Sequence, residues 1–444
     1  MAVDYVYRLE QPHISGQLAR VCQTIADEKG LIGDVVTVRV GHERSIREIS
    51  VEVRDHDQAT RVAQTLGELE GVKVISFHDR AVLAHEGGKL AIEVRNPVTS
   101  LQQLRDIYTP GVARVCTAIA EAPQLASRLT MIGRTIAICT NGTRVLGLGN
   151  IGAVASMPVM EGKALFYRQM ADISAMPILI DTEDPDEFIE TVIRIAPGFG
   201  AIHLEDIRVP DCFDIEARLI EVLDIPVMHD DVHGTAVATL AAALAACDQV
   251  GIRLQDSIVG QIGLGAAGLG IATLMVEAGA ARVLASDPDE GSHARARERG
   301  IEPTPYDEVM AQSSIVVATT GRPGLIAPEH VRPGQVVFAL TNPDPEISPT
   351  AALAAGAAFA ADGASVNNVL GYPGIFRGAL MVGADRISSR MKLAAARAIA
   401  GLTKESELVP DALDPGVHAE VARAVSEAAL EEGLGRPDRV PAGL

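Results

Sequence analysis

The chain has 444 residues, 48% of them hydrophobic and only 3% aromatic, with no Trp and abundant Ala and Gly. That composition suits several tightly packed α/β cores and excludes a disordered or fibrous chain. A net charge of −20 speaks against nucleic acid and anionic membranes as partners, and no apolar run reaches the roughly 18 residues a membrane span needs. The five cysteines, Cys22, Cys116, Cys139, Cys212 and Cys247, include no CxxC pair and read as reduced thiols of a cytoplasmic protein. The opening Met-Ala-Val-Asp-Tyr has neither the basic nor the apolar region of a secretory signal.

Taken in order, residues 3–9 alternate as a strand, and residues 15–29 carry Leu18, Val21 and Ile25 at helical spacing. Residues 34–40 and 46–53 alternate again, 58–70 is helical, and 72–77 is a last strand. The order βαββαβ is the ferredoxin-like split βαβ. This module resembles an ACT domain, a small regulatory unit appended to metabolic enzymes. The turn Pro12-His13-Ile14-Ser15-Gly16 is like the loop where such domains take small effectors. A structural or dimerising module without a ligand is the competing reading. Residues 85–96, polar and containing Gly87-Gly88, read as a linker.

A short helix over 101–107 leads to Tyr108-Thr109-Pro110-Gly111-Val112. Pro110 suits the first turn of a following helix, which holds Tyr108 at a positive helix end; a surface tyrosine that caps a core is the plainer alternative. After a buried strand over 135–140, Arg144 begins a strand that runs into the bend Gly147-Leu148-Gly149-Asn150. Lys163 precedes a helix over 164–170 and sits beside Met160, Leu165 and Phe166. Desolvation there lowers a lysine pKa, as a general base requires; a snorkelling surface lysine is the alternative. Residues 177–181 form a strand, 185–195 a helix capped by Asp184, and 212–223 another helix.

Between these lie two apolar runs that end in acids: Ile202-His203-Leu204-Glu205-Asp206 and Val227-Met228-His229-Asp230-Asp231. As neighbouring parallel strands they set the four carboxylates at their carboxyl ends, where open α/β sheets bind ligands. A hard divalent cation relieves the repulsion such a cluster creates; acidic helix caps or solvated loop ends are the alternative.

An Ala-rich helix over 235–247 precedes a strand over 257–262 and Gly263-Leu264-Gly265-Ala266-Ala267-Gly268. A helix over 269–278 and a strand over 282–286 ending in Asp287 follow. This is the dinucleotide fingerprint in its strand–turn–helix setting. Asp287 stands where an acid accepts the ribose hydroxyls of NAD and repels the 2′-phosphate of NADP. Strands over 314–319 and 335–340 continue the fold, the second ending at Thr341-Asn342-Pro343. Residues 351–361 are uninformative; 363–378, with Asn367 and Asn368, read as an irregular loop in which the two Asn bond either substrate or backbone. Residues 387–400 and 415–431 are helical, the second capped by Asp414, and 436–444 reads as a frayed tail.

Together these blocks resemble the malic enzymes of bacterial type, from about residue 97 to 384. The resemblance rests on Tyr108-Thr109-Pro110-Gly111-Val112, Arg144 to Gly149, Pro158 to Lys163, His203 to Ile207, His229 to Ala236, the Gly263 fingerprint, Thr341-Asn342-Pro343, and Asn367 to Leu380. With the ACT-like reading of the N-terminal module, it implies an α/β chain divided into an ACT-like regulatory domain (1–88), a parallel-sheet catalytic domain (89–234), a Rossmann NAD-binding domain (235–384) and C-terminal helices (385–444). It implies oxidative decarboxylation of L-malate to pyruvate and CO2, reduction of NAD or possibly NADP, and a requirement for Mg2+ or Mn2+. It implies Glu205, Asp206 and Asp231 as metal ligands, Lys163 as base, Tyr108 as acid and Asp230 as their support. Arg144, Asn342, Asn367 and Asn368 are then substrate contacts. Gly263, Gly265, Ala266, Ala267, Gly268, Asp287 and Asn342 face the dinucleotide. A homodimer or higher homo-oligomer is expected. Asn150, Val232 and Leu264 depart from the family's usual Asp, Gln and small residue. A malolactic enzyme and a catalytically silent metabolite sensor are the rival readings.

Overall fold

The computed structural model describes residues 3–145, 147–404 and 407–444; Leu146 of the glycine-rich bend and the opening Met1-Ala2 lie outside them. Contacts divide the chain into two units, Met1–Lys89 and Leu90–Leu444.

In the first unit, strands β1 (Val3–Pro12), β2 (Leu31–Val40), β3 (Arg44–Val53) and β4 (Lys73–Asp79) are joined by helices Gln17–Asp27 and His56–Glu68. The sheet is antiparallel in the order β2-β3-β1-β4, the ferredoxin-like arrangement read from the sequence. Alternation along β1 and β3 turns Tyr5, Tyr7, Leu9, Ile49, Val51 and Val53 to one face, where Val21, Ile25, Val62 and Leu66 of the helices cover them. Before the expected linker, a short helix, Arg80–His85, starts on the Asp79 side chain, which accepts from Ala81 and Val82 N–H; residues 86–96 form neither helix nor strand.

The second unit holds two parallel sheets. The first has the order β6-β5-β7-β8, from β5 (Thr135–Thr140), β6 (Ser174–Leu179), β7 (Ala201–Leu204) and β8 (Val227–His229). The second comprises β9 (Ile258–Ile262), β10 (Arg282–Ser286), β11 (Glu302–Pro303), β12 (Ile315–Ala318), β13 (Val336–Ala339) and β14 (Phe359–Asp362). Its order, β11-β10-β9-β12-β13-β14, is that of a doubly wound nucleotide fold with the switch point beside β9. Helix Asp230–Val250 joins the sheets and spans position 234/235. It is buried nearly all round, which only a run of alanines permits at such close quarters.

Several expectations change. The helix around Lys163 starts earlier, at Met157, with Pro158 in its first turn, which places Lys163 inside it. Residues 372–381 are a helix and not a loop. Their glycines are contact points: an added Cβ would lie 2.7 Å from Val421 at Gly374 and 2.5 Å from the Ala422 carbonyl at Gly378. They let this helix close on Pro415–Glu431. Part of the Ala-rich stretch becomes helix Pro349–Ala354 and the edge strand β14. The C-terminal segment is docked, because Arg134 Nη1 donates to the carbonyls of Ala442 and Gly443 at 3.3 and 3.1 Å. No helix among the described residues is long and apolar enough to cross a membrane.

Candidate active site

β7 and β8 are adjacent and parallel, and both end at the same edge. Glu205 and Asp206 follow β7 directly; Asp230 and Asp231 form the first turn of the helix after β8. Asp206 takes φ 55°, a left-handed turn that Asp tolerates. The turn lets its N–H donate to Asp231 Oδ2 at 2.9 Å. Glu205, Asp206 and Asp231 each offer an oxygen within 4.8 Å of the others. An all-oxygen set of this kind fits a hard divalent cation. A second grouping, His203, Glu205 and Asp230, is equally close but is committed to internal hydrogen bonds.

Lys163 projects from helix Met157–Ala171 into this cluster and is only 8% exposed. Its Nζ donates to Asp230 Oδ2, lies 3.1 Å from Glu205 Oε1, and sits 4.7 Å from the centre of the Tyr372 ring. Asn368 Nδ2 donates to the same Asp230 oxygen at 2.7 Å. Asp230 also explains Gly234, where an added Cβ would lie 1.8 Å from Asp230 Oδ1. Burial alone pulls Lys163 down, but Asp230 and Glu205 outweigh it and hold the ammonium well above its ordinary pKa. The lowered pKa expected from its apolar neighbours is therefore reversed. Those neighbours were legible in sequence, whereas its carboxylate partner lies 67 residues away.

His203, Tyr167, Tyr372 and Phe376 form a wall behind the acids that sequence reasoning missed. His203 bridges Tyr167 and Glu205: its Nδ1 lies 2.7 Å from Tyr167 Oη and its Nε2 2.6 Å from Glu205 Oε2. Burial holds His203 at a pKa of about 4, neutral in this role. Phe376 stacks on its ring at 5.6 Å. The one signal available was His203 itself, two residues before Glu205 on a buried strand. Burial pushes Glu205 up to about 8, against the pull of Lys163, and Asp230 up to about 6.

The cluster lies in a cleft of about 780 Å³, a size suited to small ligands and cofactors. Arg144, Lys163, Glu205, Asp206, Asp231, Asn367 and Asn368 line it, with Gly265, Ala266 and Ala267. Asn367 Oδ1 accepts from Val369 N–H at 2.9 Å, the backbone option of the two foreseen. Asp230 lies beneath, against Lys163. Five expected residues lie outside the cleft lining: Asn342 is exposed, Tyr108 is 67% exposed, and Gly263, Gly268 and Asp287 are not part of it.

On the nucleotide side, Gly263 has φ +88°, and an added Cβ would lie 2.8 Å from the Thr319 carbonyl. At Gly268 a Cβ would meet the Gly263 carbonyl at 1.9 Å, so both glycines are needed to fold the turn. Gly265 faces open space and begins helix Ala266–Glu277 with no side-chain cap. Its free N–H groups and positive helix end suit a pyrophosphate. Asp287 closes the turn: Oδ2 accepts from Leu264 N–H at 2.6 Å and Oδ1 from Asp289 N–H at 2.8 Å.

The three departures also resolve. Leu264 and Val232 are 1% and 4% exposed, and their side chains pack into the apolar cores. Asn150 Nδ2 donates to Glu183 Oε1 at 2.8 Å, and Arg208 pairs with the other Glu183 oxygen and with Asp211. An Asp at 150 would face Glu183 with like charge.

Comparison with known proteins fits this geometry. The family model for the malic enzyme N-terminal domain matches residues 88–220, and that for the malic enzyme NAD binding domain matches 348–432. NAD-dependent malic enzyme 1 of Bacillus subtilis (strain 168) is 51% identical, over 95% of this chain and 97% of its own length. The chain belongs to the malic enzyme family. A second relative, the NAD-dependent malic enzyme of Geobacillus stearothermophilus, is 40% identical over 93% of this chain and 92% of its own. Among solved structures, the malic enzyme from Pyrococcus horikoshii Ot3 superposes with a TM-score of 0.73 at 39% identity, covering 79% of this chain and 88% of its own. The NAD-dependent malic enzyme from Thermotoga maritima gives 0.73 at 35%, covering 79% and 99%. In this malic enzyme, then, Glu205, Asp206, Asp231 and Lys163 share one cleft with Gly265, Ala266 and Ala267 of the glycine turn.

Proposed function

We propose that this malic enzyme oxidises L-malate with NAD and decarboxylates it to pyruvate and CO2. The observation that carries the reading is the meeting of Lys163, three oxygen donors and the glycine turn in one cleft. Glu205, Asp206 and Asp231 would hold Mg2+ or Mn2+, which would supply positive charge to draw electron density from the substrate oxygens. Arg144 takes a malate carboxylate, ideally in a bidentate pair. Asn367 and Asn368 border the substrate, and Asn342 belongs to the outer edge of the nucleotide site.

Lys163 is the general base. Without a cation, Asp230 and Glu205 hold its ammonium; a cation bound at Glu205, Asp206 and Asp231 would take up part of that negative charge and free the amine to accept the proton of the malate C2 hydroxyl, with the C2 hydride going to the nicotinamide. The C3–C4 bond breaks, CO2 leaves, and C3 receives a proton from Tyr108 to give pyruvate. Both oxygens of Asp287 accept backbone N–H bonds, and its charge disfavours a 2′-phosphate, which supports NAD over NADP.

Tyr108 needs a route to the cleft. It adjoins helices Leu101–Ile107 and Gly111–Glu121, which bury almost nothing and expose Leu101, Leu104, Ile107 and Val115. A second copy seated on this apolar surface brings Tyr108 to the cleft of its partner, so the working form is a homodimer or larger. Catalysis belongs to residues 89–234, dinucleotide binding to 235–384, and residues 385–444 brace both.

Residues 1–88 act as an ACT-like regulatory module. Support comes from Gln11, Gln17 and Ser45, buried polar side chains with unpartnered atoms around the turn 12–16, where a small effector would satisfy them. The five free cysteines suit a reducing cytoplasm.

The test is an assay with L-malate, NAD and Mn2+ that measures NADH and pyruvate together. Equimolar formation is expected; lactate without NADH would mean a malolactic enzyme, and no turnover a sensor.

A further inference from the structure

Glu216 is a buried carboxylate that the proposed chemistry does not use. It lies on helix Asp211–Val222, is 7% exposed and is not part of the cleft lining. Burial pushes its pKa up, but His233, aided by His229 and Lys392, outweighs burial and holds the carboxyl at about 2. A buried charge persists only where partners hold it, and here the partners lie along one short stretch of chain. Oε1 accepts from His229 N–H at 2.7 Å, and Oε2 lies 3.0 Å from His233 Nε2. His233 Nδ1 lies in turn 3.1 Å from Lys392 Nζ, on helix Ser389–Gly401.

His229 immediately precedes helix Asp230–Val250, and its own side chain makes no cap. The first N–H groups of a helix have no partner within it, so this end depends on outside contacts. His233 stands one turn further on. One carboxylate therefore holds both ends of the turn that carries Asp230 and Asp231. Rotation of that turn would draw Asp231 Oδ2 from the Asp206 N–H, now at 2.9 Å, and from the oxygens of Glu205 and Asp206. It would also move Asp230 off Lys163 and Asn368. We propose that Glu216 is a positioning residue: it fixes the turn from which Asp231 reaches the cation and Asp230 reaches the base. The inference rests on the metal-site reading of Glu205, Asp206 and Asp231.

Mn2+ binding to the full chain without substrate, followed by electron paramagnetic resonance, tests it. Glu216→Ala releases both ends of the turn and should weaken Mn2+ binding by about 10–100-fold. Glu216→Gln keeps an oxygen for the His229 N–H and should recover part of that loss. NADH binding, read by its fluorescence, depends on the other sheet and should be unchanged in both variants, which separates positioning from a general loss of structure. Wild-type Mn2+ affinity in Glu216→Ala would overturn the proposal, as would an equal loss of Mn2+ and NADH binding. If Glu216→Ala does not fold, Glu216→Gln decides alone, and wild-type Mn2+ affinity there overturns the proposal. No Mn2+ binding by the wild type would overturn the metal-site reading and this inference with it.

Discussion

Glu205 feels the strongest opposing pulls in the cleft, and its titration is measurable. Burial pushes it up to about 8, so below that pH the folded, metal-free protein holds a proton that the unfolded chain has lost. A folded state that binds more protons loses stability as pH rises. His203, held at about 4, works in the opposite sense, but only below the ordinary imidazole value; Asp230, near 6, is already ionised above that range. Between about pH 6.5 and 8, Glu205 lowers metal-free stability by at most about 2 kcal/mol, and Lys392, whose pKa burial lowers, works against it. Thermal melts across that window read it, and Glu205→Gln should flatten the slope. A wild-type profile as flat as the variant's would contradict the assignment. At the cleft rim, Asn150→Asp sets a carboxylate against Glu183, whose partner distance is now 2.8 Å. The groups are exposed, so denaturant titration should show a loss below about 1 kcal/mol; a gain would rule out the contact as described.

At the level of elements, local pattern carried most of what could be read. The alternation of β1 and β3 and the strand–glycine turn–helix at Gly263 are encoded within a few residues, and they were legible. The helix Tyr372–Met381 was not, because Pro373, Gly374 and Gly378 carry the marks of a loop. Their purpose lies in Val421, Ala422 and Val425, more than forty positions on. Gly378→Ala should push this helix off Pro415–Glu431 and cost about 1–3 kcal/mol as overpacking, measured by chemical denaturation. No loss would mean that the helix pair is not close-packed. Lys163 teaches the same lesson: its apolar neighbours were visible, its partner Asp230 was not, and the partner decides the direction of its pKa.

For the whole molecule, sequence motifs named the parts of the site without saying which parts share a chain's own cleft. The acids and Lys163 do so, whereas Tyr108 lies on an exposed helical pair. If Tyr108 serves the partner's cleft, mixing inactive Tyr108→Phe and Lys163→Ala subunits creates hybrids with one intact site. Random reassortment should then restore about a quarter of wild-type activity; no restoration would mean that Tyr108 acts within its own subunit or not at all. The account as a whole rests on Lys163 as the base at the carboxylate cluster, and the most direct measurement is steady-state turnover of Lys163→Ala beside its Mn2+ and NAD affinities. Affinities near wild type with kcat reduced by about 10²–10⁴-fold are predicted, while an unchanged kcat would contradict the account.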